Sequence, residues 1–403
     1  MTGSEEKKRL TALEKRVKRQ VKARRHLFFA VCQPGFEHTA MRELSLLGIE
    51  EFEGAAEGGV EFYGSLEDCY RISMLSRTII RVIMRISRFR AESFTRLNDI
   101  MAKIPWELYL CTGTTVSFNV SCRKSRLYHS GAVEQEARAA VERRAAEQGL
   151  ALSFTAEAAQ EIFLRLDHDR CQVSLDATGE ALYKRGNKRL VTPASLRETT
   201  AALILREAAV TGYDVLIDPM CGSGTFSLEG AGIAQNLPAS PDRDFSFMRW
   251  PAFSKGAYAY VKKNLEQAVA EDPRPGRIIV SDNDPEAVEA ARANFASAGL
   301  AETCAPETRD FFTERIDIPP DRRCLIVLNP PYGKRLNSVN VADVYRKIGQ
   351  TMREWYGRCG YAVIVPGLEL EKVLSLPHDR KVLFMNGGIR VAVIFRDVRP
   401  FPG

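Results

Sequence analysis

No run of about 18 apolar residues occurs anywhere in the 403-residue chain, so a membrane-spanning helix is not expected. The first residues are basic and polar and lack the apolar core of a secretory signal. Nine cysteines are scattered along the chain (Cys32, Cys69, Cys111, Cys122, Cys171, Cys221, Cys304, Cys324 and Cys359) with no Cys-x-x-Cys pair among them. Their odd count and spacing signal neither a disulfide framework nor a metal site. A reduced, cytoplasmic protein is the economical expectation. Internal repeats and low-complexity segments are also missing, and the 45% apolar content is that of a globular protein, not a fibrous or disordered one. The length exceeds one hydrophobic core, so two or three domains are expected.

Charge is unevenly spread. Residues 1–26 hold ten Lys/Arg against Glu5, Glu6 and Glu14, a net +7 within a total of +6, which leaves the other 377 residues at −1. The bulk of the chain is therefore not basic, and its isoelectric point alone argues for no partner. The basic tail suits attraction to phosphates and equally suits a solvated, solubilising arm.

After the tail, Leu27-Phe28-Phe29-Ala30-Val31 reads as a strand, Pro34-Gly35 breaks the chain before a helix from Glu37 to Leu47, and Gly48 stops it. Val60 to Tyr63 resumes extended structure. Between residues 71 and 90 acidic side chains are absent, while Arg71, Arg77, Arg81, Arg85, Arg88 and Arg90 straddle a helix-to-strand junction. Val116 to Val120 alternates as a strand. Arg123-Lys124-Ser125-Arg126-Leu127-Tyr128-His129-Ser130 then mixes cations with an aromatic before an Ala/Glu-rich helix, Ala132 to Gln148. Such clusters suit nucleic-acid backbone contact and base stacking, and a solvated strand end explains each as readily.

From about residue 190 apolar strands alternate with helices, the pattern of a doubly wound α/β domain. The strand candidates are Val215–Ile217, Arg277–Val280, Cys324–Leu328 and Ala362–Val365, with Arg390–Phe395 as a late strand. The first three end on acidic or polar residues, where such sheets bind ligands.

Asp218-Pro219-Met220-Cys221-Gly222-Ser223-Gly224-Thr225 follows the first of these and opens a helix near Phe226. Its glycines allow a tight turn and close backbone approach. The third glycine of the dinucleotide fingerprint is missing, as is the lysine of a phosphate-binding loop. Asp218 also argues against phosphate and suits a cationic ammonium, such as that of S-adenosylmethionine. Asp282, ending the second strand, is placed to accept from ribose hydroxyls. Asp284-Pro285 reads as a helix cap with Pro at its first position. Asp310, before Phe311-Phe312, could accept from an adenine amino group. Each acid alone is more often a cap than a ligand; their order at successive strand ends favours a cofactor site.

Asn329-Pro330-Pro331-Tyr332-Gly333 follows the fourth strand. The prolines remove two backbone donors and leave their carbonyls as acceptors. With the Asn329 side chain these can grip both hydrogens of an exocyclic NH₂ and push electron density onto its nitrogen. Tyr332 offers a face for the base, which must leave its helix to reach it. A bare Pro-Pro is usually only a rigid turn; in this position it points to amino-group methylation. No general base is evident, and positioning with electrostatics can suffice.

Asp218 to Thr225, Ser281-Asp282-Asn283-Asp284 and Asn329 to Gly333 resemble the class I RNA methyltransferases that carry an N-terminal THUMP domain, the group methylating guanine-N2 in large-subunit ribosomal RNA above all. Phe245 to Phe253, Thr192 to Glu198 (with Ser195 where Pro is common), Ser93-Phe94 to Trp106 and Leu127 to Ser130 are similar to further segments of that family. The likeness runs from Leu27 onward and leaves residues 1–26 unmatched. After the basic N-terminal tail (1–26), which is read from charge alone, it implies a ferredoxin-like unit (27–65), an α+β THUMP RNA-binding domain (66–185) and a Rossmann-like class I methyltransferase domain (186–403). By the same likeness, Asp218, Cys221, Gly222, Gly224 and Thr225 line the methionine end of S-adenosylmethionine, Asp282 binds ribose and Asp310 adenine. Asn329, Pro330, Pro331 and Tyr332 hold the target. Structured RNA, ribosomal or transfer, is the implied partner, with no membrane or metal. A second methyltransferase domain, found in some members, is not expected after Phe401. The rival readings are an adenine-N6 methyltransferase on RNA or DNA, and an RNA-binding ribosome-assembly factor without chemistry.

Overall fold

The protein is described by a computed structural model, covering residues 10–186, 190, 196–209, 212–240, 242–271, 277–332 and 341–398. The chain builds two sheets. The first contains β1 (His26–Val31), β2 (Phe52–Ala56), β3 (Gly59–Gly64), β4 (Arg81–Arg90), β5 (Thr115–Arg123), β6 (Ser153–Phe154), β7 (Gln160–Asp167) and β8 (Arg170–Asp176). Their order is β2-β3-β1-β4-β8-β7-β5-β6. No seam falls at residue 65: β4 pairs with β1 on one side and with β8 on the other, so one sheet spans both N-terminal units.

The second sheet contains β9 (Val215–Asp218), β10 (Arg277–Asp282), β11 (Glu307–Thr308), β12 (Cys324–Leu328), β13 (Gly360–Val365), β14 (Arg380–Asn386) and β15 (Ile389–Arg396), in the order β11-β10-β9-β12-β13-β15-β14. β9 to β13 are parallel, and β15 enters antiparallel between β13 and β14. β12 is buried along its whole length, Cys-Leu-Ile-Val-Leu without alternation, because apolar packing covers both faces. The edge strand β14 alternates, with Lys381, Leu383 and Met385 outward. In this sheet the sequence reading missed β14 and the two-residue β11. The order in which strands are added reverses between β9 and β12, so the crevice opens beside the carboxyl end of β9.

Residues 10–25 do not form a free arm. The helix Ala12–Val17 is closed by a reciprocal Thr11–Glu14 capping box and continues into a π-helical turn, Lys18–Lys22. Val17 and Val21 are buried in the main core, and Arg16 reaches the buried Glu107 at 2.9 Å. An apolar i, i+4 pair is easily overlooked in so basic a stretch, and here it is what docks the helix.

The two sheets are joined by a seam of charge and aromatics. Glu229, on the helix Thr225–Ala234, accepts from Arg77 (2.9 Å) and Arg185 (3.0 Å), all three side chains buried. Gly232 leaves the room for Arg77, since a Cβ there would lie 2.1 Å from its guanidinium. Phe247 packs on Tyr70 with ring centroids 4.6 Å apart, and the Trp250 indole donates to Gln160 Oε1 at 2.7 Å. The Phe245–Phe253 segment thus fastens one body to the other. The remaining arginines of the 71–90 run also have partners within the chain: Arg71 with Asp68, Arg81 with Asp176, Arg85 with Glu61, Arg88 with Gln172 and Arg90 with Glu92. Most of that cluster is structural.

Candidate active site

β9 ends on Asp218, only 1% exposed. Ser227, in the first turn of the following helix, donates its hydroxyl to Asp218 Oδ2 at 2.7 Å. Among the described residues Oδ1 has no hydrogen-bond partner. Burial, with the neighbouring Asp282 adding repulsion, pushes the carboxyl up to about 7. A buried carboxylate with one empty oxygen is costly unless a cation or donor arrives.

The loop from Asp218 to Thr225 turns through Gly222 (φ +52°) and Gly224 (φ +80°), conformations that side chains resist. It is tied to the neighbouring strand twice: Cys221 N donates to Ser281 O at 3.0 Å, and Gly222 N to Asp282 Oδ2 at 2.9 Å. Thr225 is the first residue of the helix and is buried. The Cys221 thiol is buried too, and burial beside Asp218 and Asp282 drives it far from ionisation. It is not a nucleophile.

Asp282 receives a second N–H, from Asp284, at 3.1 Å, and burial raises its pKa. Asp284 caps the helix Pro285–Ser297 by accepting from Glu286 N, as the Asp-Pro pair predicts. Asp310, half-buried beyond β11, accepts from Phe312 N at 2.8 Å through Oδ1. Of the four acids, Asp284 caps a helix, Asp310 accepts from a main-chain N–H two residues on, and Asp218 and Asp282 end adjacent strands.

Asn329 follows β12 directly. Its Oδ1 is buried and, among the described residues, has no hydrogen-bond partner. Because Ile326 lies opposite Ile217, Asn329 stands just beyond Asp218 at the carboxyl edge of the adjacent strand. Pro330 is buried and Pro331 half-buried. Tyr332 is only 5% exposed, its ring packed into the main core and its hydroxyl accepting from Asn386 Nδ2 at 2.5 Å. The ring is thus fixed by the fold, more enclosed than an open stacking platform. Gly333 and the segment Thr192–Ser195 lie outside the described residues.

Three supporting residues escape a sequence reading. Ser227 looks like any helix serine. Asn386 sits on the missed edge strand. Asn294 left a signal, a polar residue at a core-facing position of an otherwise apolar helix stripe. Its Nδ2 donates to Ser223 O at 3.1 Å and braces the glycine loop from behind. Among the described residues no group of three or more His, Cys, Asp or Glu could hold a metal ion, and no helix is long and apolar enough to cross a membrane.

Residues 185–393 match the family UPF0020, described as RMKL-like, methyltransferase domain, and residues 27–83 match the RlmL ferredoxin-like domain. The ribosomal RNA large subunit methyltransferase K/L of Methylococcus capsulatus is 31% identical over 383 residues, 93% of this chain and 51% of that protein. The chain thus spans about half the length of that relative. A Synechocystis protein named as a candidate RNA methyltransferase is 30% identical over 90% of this chain and 94% of its own length. Among solved structures, a candidate methyltransferase crystallised with SAH superposes with a TM-score of 0.82 at 24% identity, covering 94% of this chain and 99% of that one.

Proposed function

The chain belongs to the UPF0020 family of RMKL-like methyltransferases, and we propose that it methylates the exocyclic N2 of a guanine in RNA, large-subunit ribosomal RNA being the substrate. S-adenosylmethionine is the donor: bound in the crevice, it supplies a methyl group on a positively charged sulfur.

One observation carries this reading. Among the described residues two buried acceptors, Asp218 Oδ1 and Asn329 Oδ1, stand without partners at the ends of adjacent strands. Buried acceptors are rarely left empty, so each awaits a donor from a ligand. A carboxylate suits an ammonium, which places the methionine end at Asp218 with Cys221, Gly222, Gly224 and Thr225 around it. Asp282 then accepts from the ribose, and Asp310 from the adenine amino group. A neutral amide oxygen suits a neutral NH₂, which assigns Asn329, with the Pro330 and Pro331 carbonyls, to the target nitrogen. Holding both N–H bonds localises the nitrogen lone pair toward the methyl group, and Tyr332 bounds the base. As the N–C bond forms the S–C bond breaks, and the nitrogen releases a proton afterwards. No side chain needs to act as a base.

The substrate assignment rests on the names of the relatives and on the N-terminal body. The first body combines the ferredoxin-like unit matched over residues 27–83 with a THUMP domain that grips structured RNA, the two sharing one sheet. Tyr128, 69% exposed and 4.1 Å from the His129 ring, with exposed Arg123, Lys124 and Arg126 beside it, supplies stacking and phosphate contact. The test is incubation with labelled S-adenosylmethionine and unmodified ribosomal RNA, then digestion to nucleosides. N2-methylguanosine is the expected product. Labelled N6-methyladenosine would overturn the choice of base, and no label in any RNA would overturn the enzymatic reading.

A further inference from the structure

β14 runs parallel to β12, because each is linked through the antiparallel β15 and the parallel β13. Asn386, the last residue of β14, therefore lies at the same carboxyl edge of the sheet as Asn329. The β14–β15 hairpin closes with Asn386 opposite Ile389, through Gly387 (φ +56°) and Gly388 (φ +82°). Positive φ at both central positions is the tight hairpin turn that asks for glycine. A Cβ on either glycine would meet nothing within 4 Å, so backbone conformation, not crowding, demands them. The result is a stiff two-residue tip standing in open space at the rim of the crevice.

The hairpin is braced at its stem. Phe384, two residues before Asn386 and on the same face, is buried with its ring edge-on to Phe36 at 5.8 Å. Gly35 approaches so closely that a Cβ would lie 2.9 Å from Leu383 O. From this stem Asn386 reaches across to donate Nδ2 to the Tyr332 hydroxyl, 54 residues away in sequence. Ile389, directly opposite and on the same face, stays 39% exposed.

We propose that Asn386 is a positioning residue for methyl transfer, fixing Tyr332 from the hairpin tip so that the target base meets a wall already in place, with Ile389 extending that wall. The inference rests on the reading of Asn329–Tyr332 as the target-base motif. Asn386 acts through the Tyr332 hydroxyl, so its effect belongs to RNA turnover and not to cofactor binding. The test is a double-mutant cycle of Asn386→Ala and Tyr332→Phe, following methylation of unmodified ribosomal RNA, with S-adenosylmethionine affinity and thermal midpoint measured on the same chains.

Each single variant is expected to lower kcat/KM for RNA about tenfold, a modest share of what loss of alignment can cost. The double variant should be no worse than either single one, because both remove the same bond. Cofactor affinity and the melting midpoint should stay as in the unaltered chain. Unchanged turnover in Asn386→Ala overturns the proposal, as do multiplying losses in the double variant or a parallel loss of cofactor affinity. If the unaltered chain methylates no RNA, the reading of the function fails and this inference with it; an active parent with an indifferent Asn386 variant sinks the inference alone.

Discussion

The backbone N–H of Gly222 donates to Asp282 Oδ2 at 2.9 Å, which ties the loop after β9 to the end of β10. The same carboxylate thus shapes the loop and offers its remaining lone pairs to the crevice. Asp282→Ala should weaken S-adenosylmethionine binding at least tenfold and also loosen the loop. Hydrogen bonds to a charged group contribute about 1.5–3 kcal/mol each. Calorimetric titration measures the affinity, and amide exchange at residues 220–225 should quicken in the same variant. Unchanged exchange would show that the loop does not depend on this tie.

Asp218 should make the proposed cofactor site sensitive to pH. Its folded pKa, about 7, is raised above the ordinary carboxyl value of 3.8, mainly by burial. The folded state therefore holds a proton that the unfolded chain has released between those values, and stability falls as pH rises through that window. Asp218→Asn should remove this contribution, so the difference in melting midpoint between variant and parent should widen from pH 5 to pH 8. Cofactor affinity should run the opposite way, weakening as pH drops below about 7 and the carboxylate is neutralised. A ligand-free chain whose pH dependence matches that of the Asn variant would contradict the assignment.

Asn329→Ala removes the acceptor assigned to the target amino group. Loss of one such preorganised contact costs on the order of 10²–10³ in kcat. Single-turnover methylation should fall by that much while RNA binding in a filter assay and cofactor affinity persist. An RNA-binding factor without chemistry would show no methylation to lose.

At Gly224 the backbone is left-handed, and a Cβ would stand 3.2 Å from the Phe295 ring. Gly224→Ala should destabilise the fold by about 1–2 kcal/mol from the backbone conformation alone. Denaturant unfolding gives the value directly, and a neutral result would mean that the loop relaxes.

The Arg77–Glu229 pair is buried on both sides. Arg77→Ala strands Glu229 with Arg185 as its remaining partner and should cost about 3 kcal/mol, near the lower end for breaking a buried pair. The larger consequence is separation of the two bodies, which limited proteolysis would expose as a cut between the sheets.

Much of this was legible before the structure, for identifiable reasons. β9, β12 and β13 are short runs buried on both faces, and an acid or amide at the carboxyl ends of β9, β10 and β12 marked the crevice. Asp284-Pro285 announced a helix start through local chemistry alone. What stayed hidden depended on contacts far apart in sequence. Six arginines within twenty residues look like a nucleic-acid face until their partners at 61, 68, 92, 172, 176 and 229 are known. β14, whose Val382-Leu383-Phe384-Met385 run is apolar, was overlooked in the sequence. The helix at 12–17 was hidden behind its own charge. The Phe245–Phe253 segment was read by likeness alone, and its Trp250–Gln160 and Phe247–Tyr70 contacts give it a physical job.

That seam carries a geometric meaning. With Arg77, Phe247 and Trp250 all crossing it, the first sheet is held against the second by buried charge, stacked rings and a buried hydrogen bond. A protein joined in this way works as a caliper with locked jaws. If the first body holds RNA as proposed, the span from that point to the oxygen of Asn329 would be set by the fold itself. Distance along the folded RNA would then decide which nucleotide is modified, and sequence around the target would need only to let that one base swing free.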